Sequence, residues 1–271
     1  MASKNLLDDS RWWQFVETYA YDLGRFAVEV CGMNDEELGN QAPTWQQFDL
    51  FDLIQENGCR VSVSSGHSTG KTRSAGIVAL WHLCCYANSI MMFTAPQITQ
   101  LRNQVWKEIT ICYNLMMMGD FKWLAEHIEI KAESVCIKNY AKTWYILAKT
   151  APKGAPENLA GLHGDWLMIW ADEASGVPDA NFGVMGGALS DKRNRMVLTS
   201  QPTRNNGFFY DTHHRLSKPQ GGVWDALVFN SEESPLASAE FIAEKLVQYS
   251  GRDDYEYRIN GLCRLPGRTD I

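Results

Sequence analysis

CRVSVSSGHSTGKTRSAGIVALWHLCCYA, residues 59–87, decides the fold. Its first seven residues are short and β-branched between Gly58 and Gly66, which predicts a buried strand. From Lys71 onward the segment predicts a helix. Between them lies Ser65-Gly66-His67-Ser68-Thr69-Gly70-Lys71-Thr72. A polyphosphate needs backbone N–H groups that converge without side-chain obstruction at the positive end of a helix. Gly66 and Gly70 let the chain curl there, Lys71 is expected to reach the β and γ phosphates, and the Thr72 hydroxyl to ligate Mg²⁺. Ser65 stands where the usual pattern has glycine.

Working outward, the second half of such a site should be an acid at the end of a neighbouring strand. WLMIWADEA supplies it about 100 residues downstream: four apolar residues, Leu167 to Trp170, run into Asp172 and Glu173. Asp172 is expected to hold Mg²⁺ through water, and Glu173 to activate or orient an attacking water. That is what hydrolysis, as opposed to transfer to a bound acceptor, requires. Adjacent acids at this place point to the P-loop ATPases with an additional catalytic glutamate, the RecA-like or ASCE type. The fold class expected is therefore α/β, with a mostly parallel central sheet flanked by helices.

The remaining segments agree with that pattern. SIMMFTAP, RMVLTSQP and WDALVFNS read as further strands; QITQLRNQVWKEITICYNLMM and SAEFIAEKLVQYSG read as helices. HIEIKAESVCIKN and KTWYILAKTA read as two strands joined by a turn at Asn139-Tyr140. PTWQQFDLFDLIQENG reads as a helix with Thr44 as cap and Asn57-Gly58 as stop. Ahead of it, residues 1–42 form a predicted helical lead-in, with Trp12, Trp13, Phe15, Val16, Tyr19 and Leu23 spaced for one apolar face. Residues 43–255 are then the ATPase domain and 256–271 the start of a linker.

Composition narrows the class. Apolar residues make up 45% and charged residues 21%, as in a globular chain and not a disordered one. The net charge of −7 argues against a protein that coats nucleic acid by bulk positive charge, though not against a local grip. Seven cysteines without a CxxC pair predict buried free thiols. No apolar run reaches membrane-spanning length and the start lacks a secretory pattern, so a cytosolic setting without membrane is expected.

Residues 43 to 271 together resemble the ATPase domain of large terminase subunits from tailed phages. Trp45-Gln46, ahead of the loop, resembles the family's adenine-recognising glutamine motif, with Gln47 as the competing glutamine. SSGHSTGKT resembles its deviant P-loop, in which the first glycine is often lost. Some members carry an arginine where His67 stands here, which puts His67 forward as a cis-acting catalytic group. FTAPQITQLRNQVWKEI resembles the segment after the second core strand, and GLHGDWLMIWADEASGVPDANF the Walker B region. TSQPTRNNGFFYD resembles the coupling motif, with Thr199, Ser200 and Gln201 as candidates for sensing hydrolysis.

The resemblance implies ATP and Mg²⁺ as cofactors and double-stranded DNA as the object moved into a procapsid, in host cytoplasm. It also implies a ring on the capsid portal, a small terminase subunit as partner, and a C-terminal nuclease domain in the full-length chain. A neighbour in the ring is expected to insert a cation into the active site. Arg102, Arg193, Arg195, Arg204, Lys149 and Lys153 are the candidates. Nothing after Pro202 reads as a two-metal cutting site, so this chain is not expected to cut DNA. Two alternatives remain from the sequence: a helicase-type DNA-dependent translocase, and a nucleotide-binding module that does not turn over.

Overall fold

The computed structural model describes residues 5–34, 41–150 and 156–263. The chain opens with helices α1 (Ser10–Tyr19), α2 (Leu23–Glu29) and α3 (Trp45–Gln55). Strand β1 (Arg60–Ser65), helix α4 (Lys71–Cys85), strand β2 (Ile90–Thr94) and helices α5 (Ile98–Met118) and α6 (Lys122–Ala125) follow. Next come β3 (Ile128–Ile130), β4 (Ser134–Ile137), β5 (Tyr145–Ala148), β6 (Leu167–Asp172), α7 (Asp179–Ala188) and β7 (Arg195–Ser200). The described chain closes with α8 (Phe208–Thr212), β8 (Asp225–Phe229), α9 (Ala239–Gln248) and α10 (Tyr255–Asn260).

The strands form one sheet in the order β3-β4-β5-β2-β6-β7-β1-β8. From β5 to β8 every neighbouring pair is parallel; the β3–β4 and β4–β5 pairs are antiparallel, so β4 alone among these strands runs against the others. β7 lies between β1, which leads into the phosphate loop, and β6, which carries the acids. That inserted strand is the mark of the RecA-like arrangement, and the expected α/β fold is the one observed.

Strand alternation divides the core in two. Val61, Val63, Met91, Phe93, Met168, Trp170 and Val197 face the side packed by α1 to α5. Met92, Ile169, Met196 and Leu198 face Phe182 of α7 and Phe209 of α8. α4 is buried on nearly all sides from Ser74 to Cys85, as an apolar helix between two layers must be. Each large side chain buried this way contributes about 1.5–3 kcal/mol before chain entropy is counted. Two indoles tie outer elements to it: Trp12 Nε1 donates to Cys84 O at 2.7 Å, and Trp144 Nε1 to Leu83 O at 2.7 Å.

α3 begins as its sequence says. Thr44 Oγ1 accepts from Gln47 N while the Gln47 side chain accepts from Thr44 N, a complete capping box. Elsewhere the reading needs correction. The segment expected as one strand over 127–139 turns back on itself at residues 131–133, giving β3 and β4, and β4 then pairs with β5. A polar Lys-Ala-Glu-Ser inside an alternating run was the turn. The N-terminal helix breaks at 20–22, where Asp22 caps α2, and Trp13, expected on the apolar face, is 55% exposed. Residues 256–263, expected to start a linker, instead form most of α10 and a buried Cys263 against the core. All seven cysteines are buried and free.

Candidate nucleotide site

The phosphate loop leaves β1 at Ser65, a buried residue whose hydroxyl shares a 2.7 Å hydrogen bond with Thr69 Oγ1. Thr69 Oγ1 also lies 3.3 Å from Gly66 O. This cross-link accounts for serine where glycine is usual: the backbone there does not need a positive φ, and the hydroxyl closes the loop. The left-handed turns come at Ser68 (φ 55°) and Gly70 (φ 79°). Gly70 begins α4 with no side-chain cap, so the first amides of a fifteen-residue helix are left for an anion. The loop is curled as a polyphosphate requires.

Its back is held by residues that sequence reading did not single out. Ser231 Oγ donates to His67 O at 2.7 Å, Ser234 Oγ to Ser68 O at 2.9 Å, and His67 N donates to Asn260 O at 3.3 Å. A Cβ on Gly66 would clash with Ser231 Oγ and stand 2.7 Å from Asn260 O. Gly66 is thus required for packing behind the loop. Serines 164 and 166 residues away in a polar stretch carry no local signal of such contacts.

β6 delivers the acids. Its register pairs Asp172 with Thr199 of β7, and both side chains fall on the α4 face of the sheet with Trp170. Trp170 Nε1 donates to Thr199 Oγ1 at 3.0 Å, and Thr199 Oγ1 donates to Asp172 Oδ1 at 2.6 Å. Glu173 takes a left-handed backbone (φ 50°), an uncommon conformation for a non-glycine residue. Its exposed carboxylate caps nothing. On the opposite face, Ser200 Oγ accepts from Ser175 N at 3.1 Å and Ser175 Oγ donates to Gln201 O at 2.8 Å. Gln201 Nε2 lies 2.9 Å from His67 Nε2. An amide NH₂ can only donate, so His67 accepts there as a neutral ring. Burial, then the charges of Lys71 and Lys245, push its pKa below the ordinary histidine value.

Loop and acids meet in one cleft. Gly66 to Arg73, Asp172 and Glu173 line an open cavity of about 370 Å³ together with Gln100 and Gln104 of α5. A neighbouring space of about 340 Å³ is shared by His67, Lys71, Glu173, Ser175 and Gln201. The side chains of Lys71, Thr72 and Glu173 make no hydrogen bond or ion pair among the described residues. Gln100 and Gln104, one helical turn apart, were legible only as a face of α5. No cluster of three metal-ligating His, Cys, Asp or Glu occurs among the described residues. A hydroxyl and a carboxylate are hard oxygen donors that suit Mg²⁺ arriving with phosphates.

The other candidates scatter. Trp45 is 48% exposed and its Nε1 lies 3.4 Å from Glu233 O. Gln46 is buried, donates to Asn230 O at 3.0 Å and leaves Oε1 without a partner. Gln47 is spent: besides the capping box, its Nε2 donates to Gly70 O and to Ser74 Oγ. Among the finger candidates, Arg195 is a correction. It opens β7 at the sheet end opposite the cleft, fully buried, bonded to Gln55 O, Glu56 O, Asn57 Oδ1 and Tyr86 Oη. Arg193 lies at the same far end, paired with Asp191 and Asp165 and stacked on Trp166. Arg102 pairs with Glu133. Lys149 is half-buried just after β5, Arg204 is exposed in the loop after β7, and Lys153 lies outside the described residues.

No family model matches the chain. It is 36% identical over 271 residues, 99% of its length, to the probable terminase large subunit of Enterobacteria phage P7. The chain is thus similar, over nearly its whole length, to a phage large terminase subunit. It spans 53% of that relative's length. Among solved structures, it matches the large terminase ATPase domain of Thermus phage P74-26 with a TM-score of 0.63. That match has 16% identity and covers 88% of this chain and 97% of that one. A large terminase from a thermophilic bacteriophage in complex with ADP gives 0.62 at 13% identity, covering 82% of this chain and 53% of that one. The terminase ATPase fold is common to all three. No helix among the described residues is long and apolar enough to cross a membrane.

Proposed function

We propose that this chain belongs to the phage large terminase family, that it hydrolyses ATP and that hydrolysis drives double-stranded DNA into a procapsid. The observation that carries the reading is the shared cleft: uncommitted Lys71, Thr72 and Glu173 side chains face the same space as Asp172. The loop amides and Lys71 would bind the β and γ phosphates. Thr72 and Asp172 would hold Mg²⁺, which would draw charge from the phosphates. Glu173 would take the proton of a water that attacks the γ phosphorus as the bond to the β–γ bridging oxygen breaks and ADP departs.

Gln46, with its unpartnered oxygen, suits the adenine better than Gln47, whose amide is already used. His67 would act as a neutral hydrogen-bond group and not as a cation, so the transition-state charge calls for a residue from a neighbouring subunit. Arg204 is the candidate best suited to that: exposed, unpaired among the described residues, and on a loop that borders the cleft through Thr203. Thr199, Ser200 and Gln201 are proposed as the coupling segment because they join the acids, Ser175 and His67. The DNA, the portal ring, the small subunit, a nuclease domain elsewhere in the full protein and the host cytoplasm come with the family reading.

Glu173→Gln tests the assignment. ATP turnover should fall by about 10²-fold or more while nucleotide binding stays near that of the parent. Unaltered turnover would remove Glu173 from the chemistry.

A further inference from the structure

The Asp172 carboxylate is held by a donor chain whose direction is fixed. An indole N–H can donate but never accept. Trp170 Nε1 therefore occupies one acceptor site of Thr199 Oγ1 at 3.0 Å, and the Thr199 proton is directed onto Asp172 Oδ1 at 2.6 Å. Trp170 and Thr199 are both almost fully buried, 1% and 1% exposed, so both donors are shielded from water. The register makes the contact unavoidable: Asp172 and Thr199 are sheet partners, and Trp170 stands two residues before Asp172 on the same face.

We propose that Trp170 and Thr199 are positioning residues for Mg²⁺. They hold Asp172 Oδ1 in place beside the cleft that Asp172 lines, so that the carboxylate can hold Mg²⁺ through water without first giving up rotational freedom. This rests on the reading of Asp172 as the magnesium-side acid. Neither side chain touches nucleotide in it. Hydrogen-bonding partners behind metal ligands commonly set metal affinity by about 10–100-fold.

The test is binding of fluorescent ADP to the 271-residue chain, once with Mg²⁺ and once with EDTA. The parent should bind more tightly with Mg²⁺. In Thr199→Val that gain should shrink about tenfold, with affinity in EDTA unchanged. Thr199→Ser, which keeps the hydroxyl, should restore it. Trp170→Phe frees the Thr199 hydroxyl to rotate and should give a smaller loss in the same direction, and it serves if Thr199→Val does not fold. A Mg²⁺ gain equal to the parent's in folded Thr199→Val or Trp170→Phe would overturn the positioning role alone. Failure of the parent itself to bind ADP would overturn the nucleotide site, and this inference with it.

Discussion

The two ends of the sheet treat charge in opposite ways. At the carboxyl ends of β1 and β6, Lys71 and Glu173 stand beside one another's cleft without a partner. At the amino ends, Arg195 is buried under Trp81, Tyr86 and Trp166 and bonded to two carbonyls, an amide oxygen and a phenol. Arg60 likewise donates to Gly58 O, Cys59 O and Asn194 O. A buried cation bonded to several backbone carbonyls has a structural task. One left open at the end of parallel strands, where ligands bind, is available to a substrate.

That contrast predicts opposite phenotypes. Lys71→Ala should lower ATP turnover by roughly 10²-fold or more with little change in melting temperature, since the side chain supports no internal bond. Equal loss of melting temperature and activity would erase the distinction. Arg195→Ala should do the reverse. It strands several buried acceptors and opens space among three rings, so chemical denaturation should report a loss of about 3 kcal/mol or more. Nucleotide affinity of the fraction that stays folded should match the parent's. A stable Arg195→Ala chain defective only in turnover would bring this arginine back to the chemistry.

A smaller effect, away from the cleft, is read by pH. Burial, then the charge of Arg195, lowers His82 to about 3. Burial, then His214, lowers His213 to about 4; its Nε2 lies 3.0 Å from Ser62 Oγ. The unfolded chain takes up both protons first. Each histidine therefore adds stability that is full above about pH 6.5 and lost as pH falls towards those values. Between pH 7 and 5 the denaturation free energy should drop by about 2 kcal/mol per histidine, and His213→Gln should remove one share of that slope. A flat profile in the parent would contradict the lowered pKa values of the two rings.

The same division marks what the sequence could say. The loop, the acids and the capped start of α3 were legible because each rests on neighbours within a few residues: a glycine pair, an apolar run ending in Asp-Glu, a Thr-x-x-Gln box. The brace of Ser231, Ser234 and Asn260 behind the loop was not, because it depends on β8 landing beside β1. Arg195 misled for the same reason. By sequence it is one more cation that could serve a neighbouring subunit, yet its place as the first residue of a buried strand puts it under three aromatic rings from distant segments. Gln46 and Gln47 could be told apart only once helix phase decided which amide meets Gly70.

The central claim is that Lys71 and the Asp172-Glu173 pair serve one triphosphate. A crystal structure of the chain with Mg²⁺ and a slowly hydrolysed ATP analogue tests it most directly. The account predicts γ-phosphate oxygens against Lys71, the metal between Thr72 and Asp172, and Glu173 facing the γ phosphorus across one water. Nucleotide seated instead in the larger, 700 Å³ cavity beside His214, Lys218 and Trp224, with the loop empty, would contradict it.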